Sequence, residues 1–282
     1  MTFSDLEVVL ALASRAHGYA RDNILNIWTP GGGTDQKGYS RELAGALLRE
    51  ADVFFDRALV LYLLRSHLKS LQASTWAGVA SYYSNYFSAL SFIRLNLCSV
   101  THMPGGGLFA VEILSGGNPY FSIRSRTRRL GHTDVWNQYY STVRDMAWPD
   151  SNIVTNLAPT HAALQFREQL YRERINYRPG EGFQEIYLVP PRYRKYLKME
   201  FQDTGLGYIG LTDAGYAETM AIERLRHVAA LLRRLKTIRQ DKSIEQHAWE
   251  NRRAIVERYS STTADIRSAT DLLPRTQVST VG

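Results

Sequence analysis

Residues 171–177, Tyr171-Arg172-Glu173-Arg174-Ile175-Asn176-Tyr177, place two arginines, a carboxylate, an amide and two phenols within two turns of a predicted helix. A guanidinium offers a planar fork of donors that matches a phosphate, and a phenol can donate to a phosphate oxygen. The run contains no histidine. An unperturbed imidazole titrates near about 6.5 and a phenol near about 10, so Tyr177 is a poor general base at neutral pH. Such a set can meet a phosphate group but lacks an imidazole to serve as a base near neutral pH.

Two further clusters extend the basic character. Arg124, Arg126, Arg128 and Arg129 lie beside Tyr120 and Phe121, and Arg192, Arg194, Lys195 and Lys198 lie beside Tyr193 and Tyr196. Rings interleaved with cations suit single-stranded RNA or DNA, because bases stack on the rings while arginines hold the backbone. The competing reading is a solvated face balanced by Glu173, Glu181 and Glu185. The formal net charge of +7 agrees with a polyanionic partner without specifying one.

Other chemistries fit less well. Cys98 is the only cysteine, which excludes an internal disulfide and a multi-cysteine zinc site. His102, His132 and His161 lack the close pairing or i, i+4 spacing of zinc ligands. Pro-Gly-Gly-Gly occurs at 30–33 and 104–107, but neither copy leads into the lysine and hydroxyl of a phosphate-binding loop. Both read as connections between helices. No metal and no cofactor is expected. The apolar runs, such as Ala58–Leu64, are too short to cross a bilayer, and Met1–Asp5 does not begin a secretory leader. A cytoplasmic protein is the expectation.

The elements that must position these residues are mostly helical. Leu6, Val9, Leu10 and Ala13 recur at helical spacing, and a long helix or helix pair is predicted from a Ser40 cap to about Leu71. Its candidate core residues are Leu43, Leu47, Val53, Phe54, Leu61, Leu64 and Leu68. An aromatic helix follows from near Ser74 and ends before His102. Leu108–Leu114 and Tyr120–Arg126 flank a Gly-Asn-Pro turn and predict a β-hairpin, with Arg124, Arg126 and Arg128 on one face. Helices are predicted over 133–148, about 159–176, 213–238 and 243–259, with a short strand over 186–189 and a disordered tail after Pro274. In the 213–238 helix, Leu225, Val228, Leu232 and Leu235 form a two-heptad seam, expected to pack on its own domain, with a dimer contact as the alternative.

The aromatic helix, ASYYSNYFSALSFIRLNL over Ala80–Leu97, alternates Tyr82, Tyr83, Tyr86 and Phe87 with small residues. Small residues allow close helix approach while rings fill a neighbouring groove, so a core role is its plain reading. The pattern also resembles the tyrosine-rich second helix of the HEPN superfamily, small helical domains of prokaryotic defence and toxin systems, over about residues 40–178. In active members an arginine is followed by a polar residue and, four to six places after the arginine, by a histidine. Arg172, Glu173 and Tyr177 occupy those positions here, with Asn176 between them. The resemblance gives Arg172 a phosphate-facing role and Glu173 the polar position, and Tyr177 departs from the motif. Arg126 and His132 have the motif's separation, but that stretch reads as a strand running into a loop. Arg94 and His102 are spaced outside the range. Both histidines are expected to cap a helix or lie on the surface.

The resulting expectation is a mainly α fold: a HEPN-like helical bundle with a β-hairpin insertion near 108–128 and a C-terminal helical extension. A HEPN-like domain would span 1–178, and 179–282 would hold a short strand, two helices and the tail. The implied function is RNA binding or metal-independent RNA cleavage in an antiviral defence or toxin–antitoxin setting, with a degenerate active site. The resemblance also implies a homodimer that brings two copies of Arg172 together. The alternative is a non-enzymatic helical subunit that scaffolds a protein partner.

Overall fold

Ser40 starts the longest helix by accepting a hydrogen bond from the Leu43 backbone N–H at 3.0 Å. That bond satisfies one of the donors a helix start leaves open. The computed structural model describes residues 20–25, 27–29, 32–102, 108–114, 119–126, 131–146, 151–160, 166–177, 212–238 and 242–259. Within them α1 (Ala20–Ile24) and β1 (Asp35–Tyr39) precede the long helix α2 (Arg41–Ser70), and α3 (Ser74–Leu95) folds back on it. Strands β2 (Ser99–His102), β3 (Leu108–Ile113) and β4 (Tyr120–Arg126) follow. The chain then forms α4 (His132–Asp145), α5 (Ser151–Leu157), α6 (Arg167–Tyr177), α7 (Asp213–Ile238) and α8 (Lys242–Tyr259). Among the described residues the protein is mainly α-helical, with one small antiparallel sheet.

Left-handed residues end both arms of the α2–α3 hairpin. Gln72 (φ 59°) closes α2, with its N–H on Lys69 O at 2.9 Å and the Ala73 N–H on Leu68 O at 2.9 Å. Leu97 (φ 55°) closes α3 in the same way through Arg94 O and Ile93 O. Both are Schellman closures, in which the last carbonyls of the helix find donors beyond its end. Between them the small residues of α3 let the two helices approach closely. Ser84 donates to the Ala58 carbonyl at 2.8 Å and Ser91 to the Ala51 carbonyl at 2.7 Å, both fully buried.

Two cores result. The larger is built by Phe55, Leu59 and Leu63 of α2, Tyr82, Phe92 and Ile93 of α3, Trp136 and Tyr139 of α4, and Met220, Leu225 and Val228 of α7. Trp249 and Val256 of α8 also join it. Leu225, Val228 and Leu232 of the α7 seam therefore pack against α2, α3 and α4 in the larger core, and Leu235 reaches the smaller one. The smaller core holds α1 and the first turns of α2 against Phe109, Val111, Phe121 and Ile123 of the sheet.

Several expectations need correction. The hairpin is the centre of a four-stranded sheet in the order β1-β4-β3-β2, with β1 paired to β4 and β2 to β3. Strand β1, DQKGY, has exposed and half-buried residues in alternation and no apolar face that would announce it. On α2, Leu43 and Leu47 are buried, but Val53 is 39% exposed and Phe54, Leu61, Leu64 and Leu68 are half-buried. The core face instead runs through Ala51, Phe55, Ala58, Leu59, Tyr62 and Leu63. Pro159 lies outside any helix, and α6 begins only at Arg167, after Phe166 with φ 56°. The expected first helix, the 186–189 strand and the tail after Pro274 fall outside the described residues. Among the described residues no helix is long and apolar enough to cross a membrane.

Candidate functional site

Helix α6 is seated on α3 by a close approach at Gly78. A Cβ there would come within 2.6 Å of the Tyr171 hydroxyl and 3.0 Å of Ile175 Cδ1. Hydrogen still bears the contact; a methyl group would not. Ion pairs hold the other side of α6. Glu168, fully buried, pairs with Arg224 of α7, itself 1% exposed. The Arg224 guanidinium also donates to Asn85 Oδ1 at 2.6 Å and lies over the rings of Trp136 and Tyr139. Asp213 at the start of α7 takes both Arg167, at 2.6 Å, and Arg174. Buried ions require this degree of pairing, since an unpaired charge in the interior is costly.

So anchored, α6 points Arg172 across the tyrosines of α3. Its Nη2 donates to Tyr83 Oη at 3.2 Å. The guanidinium lies 5.9 Å from the Tyr82 ring centre, 5.8 Å from that of Tyr83 and 5.4 Å from that of Tyr177. Tyr177 is 69% exposed, which leaves this aromatic sleeve open to solvent. Arg174, by contrast, is turned into the fold by Asp213. Glu173 accepts from Gln169 Nε2 at 3.0 Å, and Gln169 meets Thr133 of α4. Asn176 is half-buried and takes no part in these contacts.

His132, expected on a surface or at a cap, sits inside the same cluster. It is the first residue of α4, after Gly131 whose N–H donates to the Asp134 carboxylate at 2.9 Å. The imidazole stacks on Tyr86 at 4.7 Å and on Tyr82 at 5.8 Å, and its Nδ1 lies 2.5 Å from the Tyr82 hydroxyl. Burial and then the Arg172 charge push its pKa below the usual imidazole value, against a smaller opposing effect of Glu173. Burial raises Tyr82 well above an ordinary phenol, and Tyr86 to about 12, so both rings are neutral. Sequence reasoning weighed His132 as a motif partner of Arg126 and set it aside as a cap or surface residue. The signal was the helix start at Gly131-His132-Thr133-Asp134, where Asp134 could cap, but nothing in the sequence placed α4 against α6.

The strip continues along α3. Tyr83 contacts Phe87, and the Arg57 guanidinium of α2 lies 5.7 Å from the Phe87 ring centre and 5.8 Å from that of Phe54. Arginine and ring thus alternate over the surface of the α2–α3 hairpin. Beside them Val53, Val60, Leu61 and Phe87 line an apolar groove.

The basic sheet patch is only partly described. Arg124 pairs with Glu112 across the hairpin, which neutralises it locally. Arg126 pairs as backbone with Leu108 in the register of β3 and β4, and its side chain lies outside the described residues. Arg128, Arg129, Arg192 and Arg194 also lie outside them. Among the described residues no group of three or more histidine, cysteine or acidic side chains could hold a metal ion. Burial pushes the lone thiol, Cys98, up to about 11, which makes it a weak nucleophile. Compared with known proteins, the chain matches no family model, no curated protein and no solved structure.

Proposed function

We propose that this chain is a HEPN-like RNA-binding protein of a prokaryotic defence or toxin-type system, with Arg172 as its phosphate contact and a degenerate motif at Tyr177. One observation carries the reading. Arg172 lies among the rings of Tyr82, Tyr83 and Tyr177 with no carboxylate partner among the described residues, beside a face open to solvent. A cation held by aromatic faces keeps its charge for a ligand, and exposed rings such as Tyr177 can stack a base. Tyr177 stacks under the guanidinium where active relatives carry a histidine, so the motif helix itself supplies phosphate binding without a base.

The test is fluorescence anisotropy of a labelled single-stranded RNA with purified protein. Native protein is expected to bind, and Arg172→Ala to weaken binding about tenfold, the size of a lost hydrogen bond to a charged group. Equal affinity in the two proteins would remove Arg172 from the interface. Absence of any salt-sensitive affinity would favour the alternative, a subunit that scaffolds a protein partner.

A further inference from the structure

Tyr82 and His132 decide what the site can do with a bound phosphate. The Tyr82 side chain is fully buried, and among the described residues the acceptor its hydroxyl reaches is His132 Nδ1, at 2.5 Å. A phenol that keeps its proton must give it to that nitrogen. A neutral imidazole carries one proton, and with Nδ1 acting as acceptor the proton belongs on Nε2. The ring is fixed in place by stacking on Tyr86 and Tyr82. It also shares two tyrosine neighbours with Arg172. His132 lies 5.8 Å from the Tyr82 ring centre and 6.3 Å from that of Tyr83, and the guanidinium lies 5.9 and 5.8 Å from the same two centres. Nε2 has no partner among the described residues.

We propose that His132, held by Tyr82 as the Nε2–H tautomer, is a neutral hydrogen-bond donor that completes with Arg172 a subsite for one phosphate of a bound RNA strand. A base would need a free lone pair on the nitrogen facing the ligand, and this tautomer presents a proton there instead. The subsite therefore holds a phosphodiester without abstracting the 2′-hydroxyl proton that cleavage requires. This deepens the RNA-binding reading and rests on it for the identity of the ligand.

The ring itself is tested without RNA. Long-range nitrogen–proton correlation spectra of labelled protein, with the His132 signals assigned by their loss in His132→Gln, should show a protonated Nε2 and an unprotonated Nδ1. Tyr82→Phe should relax this to a mixture of tautomers. A protonated Nδ1 in the native protein would overturn the proposal. Titration with inorganic phosphate should shift the His132 ring signals, and Arg172→Ala should abolish the shift. Absence of any shift in the native protein would remove the subsite, whatever the RNA result.

Labelled oligouridylate supplies the second arm. His132→Gln, whose amide can present a donor, should bind within about threefold of native, and His132→Leu about tenfold more weakly. Equal binding by native and His132→Leu would also overturn the proposal. Metal-free conversion of the strand to 2′,3′-cyclic phosphate products that disappears in His132→Gln would show a base instead of a donor. Failure of native protein to bind the strand, with the phosphate shift present, would sink the RNA reading and leave the subsite standing.

Discussion

Glu168 and Arg224 form an ion pair with almost no contact with water, and side chains of four helices surround it. Glu168 belongs to α6, Arg224 to α7, Asn85 to α3, and Trp136 and Tyr139 to α4. Removing one partner would leave the other charge buried, which costs roughly 3–5 kcal/mol. Glu168→Gln should therefore lower unfolding stability by about that amount in urea titration, while the paired change Glu168→Leu with Arg224→Met should cost far less. Equal losses would show that packing and not charge governs the site. His132 and His227 contribute to the pH response. His132 faces Tyr82, Tyr83 and Tyr86 of α3 and Arg172 and Glu173 of α6; burial lowers its pKa, as it does for His227. Both rings stay neutral in the fold while the unfolded chain takes up protons below about 6.5, so their contribution is present above that pH and is lost as pH falls through the folded values. The melting temperature should fall between pH 7 and pH 5, and His132→Gln with His227→Gln should flatten that slope. An unchanged slope would mean that carboxylates dominate it.

Helix α6 is an element whose position depends on what it lacks as much as on what it carries. Gly78 on α3 leaves the gap that Tyr171 and Ile175 fill. Gly78→Ala would improve the helix propensity of α3 by up to about 1 kcal/mol, but overpacking costs about 1–3 kcal/mol. The expected net result is lower stability together with displacement of Arg172 from Tyr83, measurable as weaker RNA binding. A more stable protein with unchanged binding would refute the close approach. Little of this was legible in the sequence. Apolar-rich runs bounded by caps and by Pro and Gly breakers located α2, α3, α4, α7 and α8 to within a few residues, although on α2 the core face lies beside the one expected. Short α5 escaped notice. The start of α6 was misplaced because Pro159 looked like a first-turn proline, whereas the chain enters α6 through a left-handed Phe166. Strand β1 gave no signal, since an edge strand with polar residues on both faces has no period-two hydrophobicity to detect. His132 joined the site only through the contact of α4 with α3 and α6, which no local pattern encodes.

At the scale of the molecule, the net charge of +7 says less about a ligand than where the arginines are satisfied. Arg94 pairs with Glu50, Arg167 and Arg174 with Asp213, Arg224 with Glu168, and Arg252 of α8 with Asp52 and Asp56 of α2. These pairs join helix to helix, and their fields are largely cancelled within a few ångströms. The Arg252 clamp also closes α8 over the main core, where its guanidinium lies 4.5 Å from the Trp249 ring centre. Arg172 and Arg57 instead face rings, and a ring does not neutralise a charge. Composition therefore gave the sign of the charge, while only the fold separates arginines paired with carboxylates from those that face rings. This difference predicts the salt response. Each phosphate neutralised on a single strand contributes about 0.7 to the slope of log affinity against log salt. Arg172→Ala should reduce the measured slope by about that much, and Arg57→Ala by a similar amount if the strand follows the aromatic strip. Arg252→Ala should instead lower stability and leave the slope of the folded protein unchanged. A slope that responds to Arg252 and ignores Arg172 would place the phosphate path on a different face of the protein.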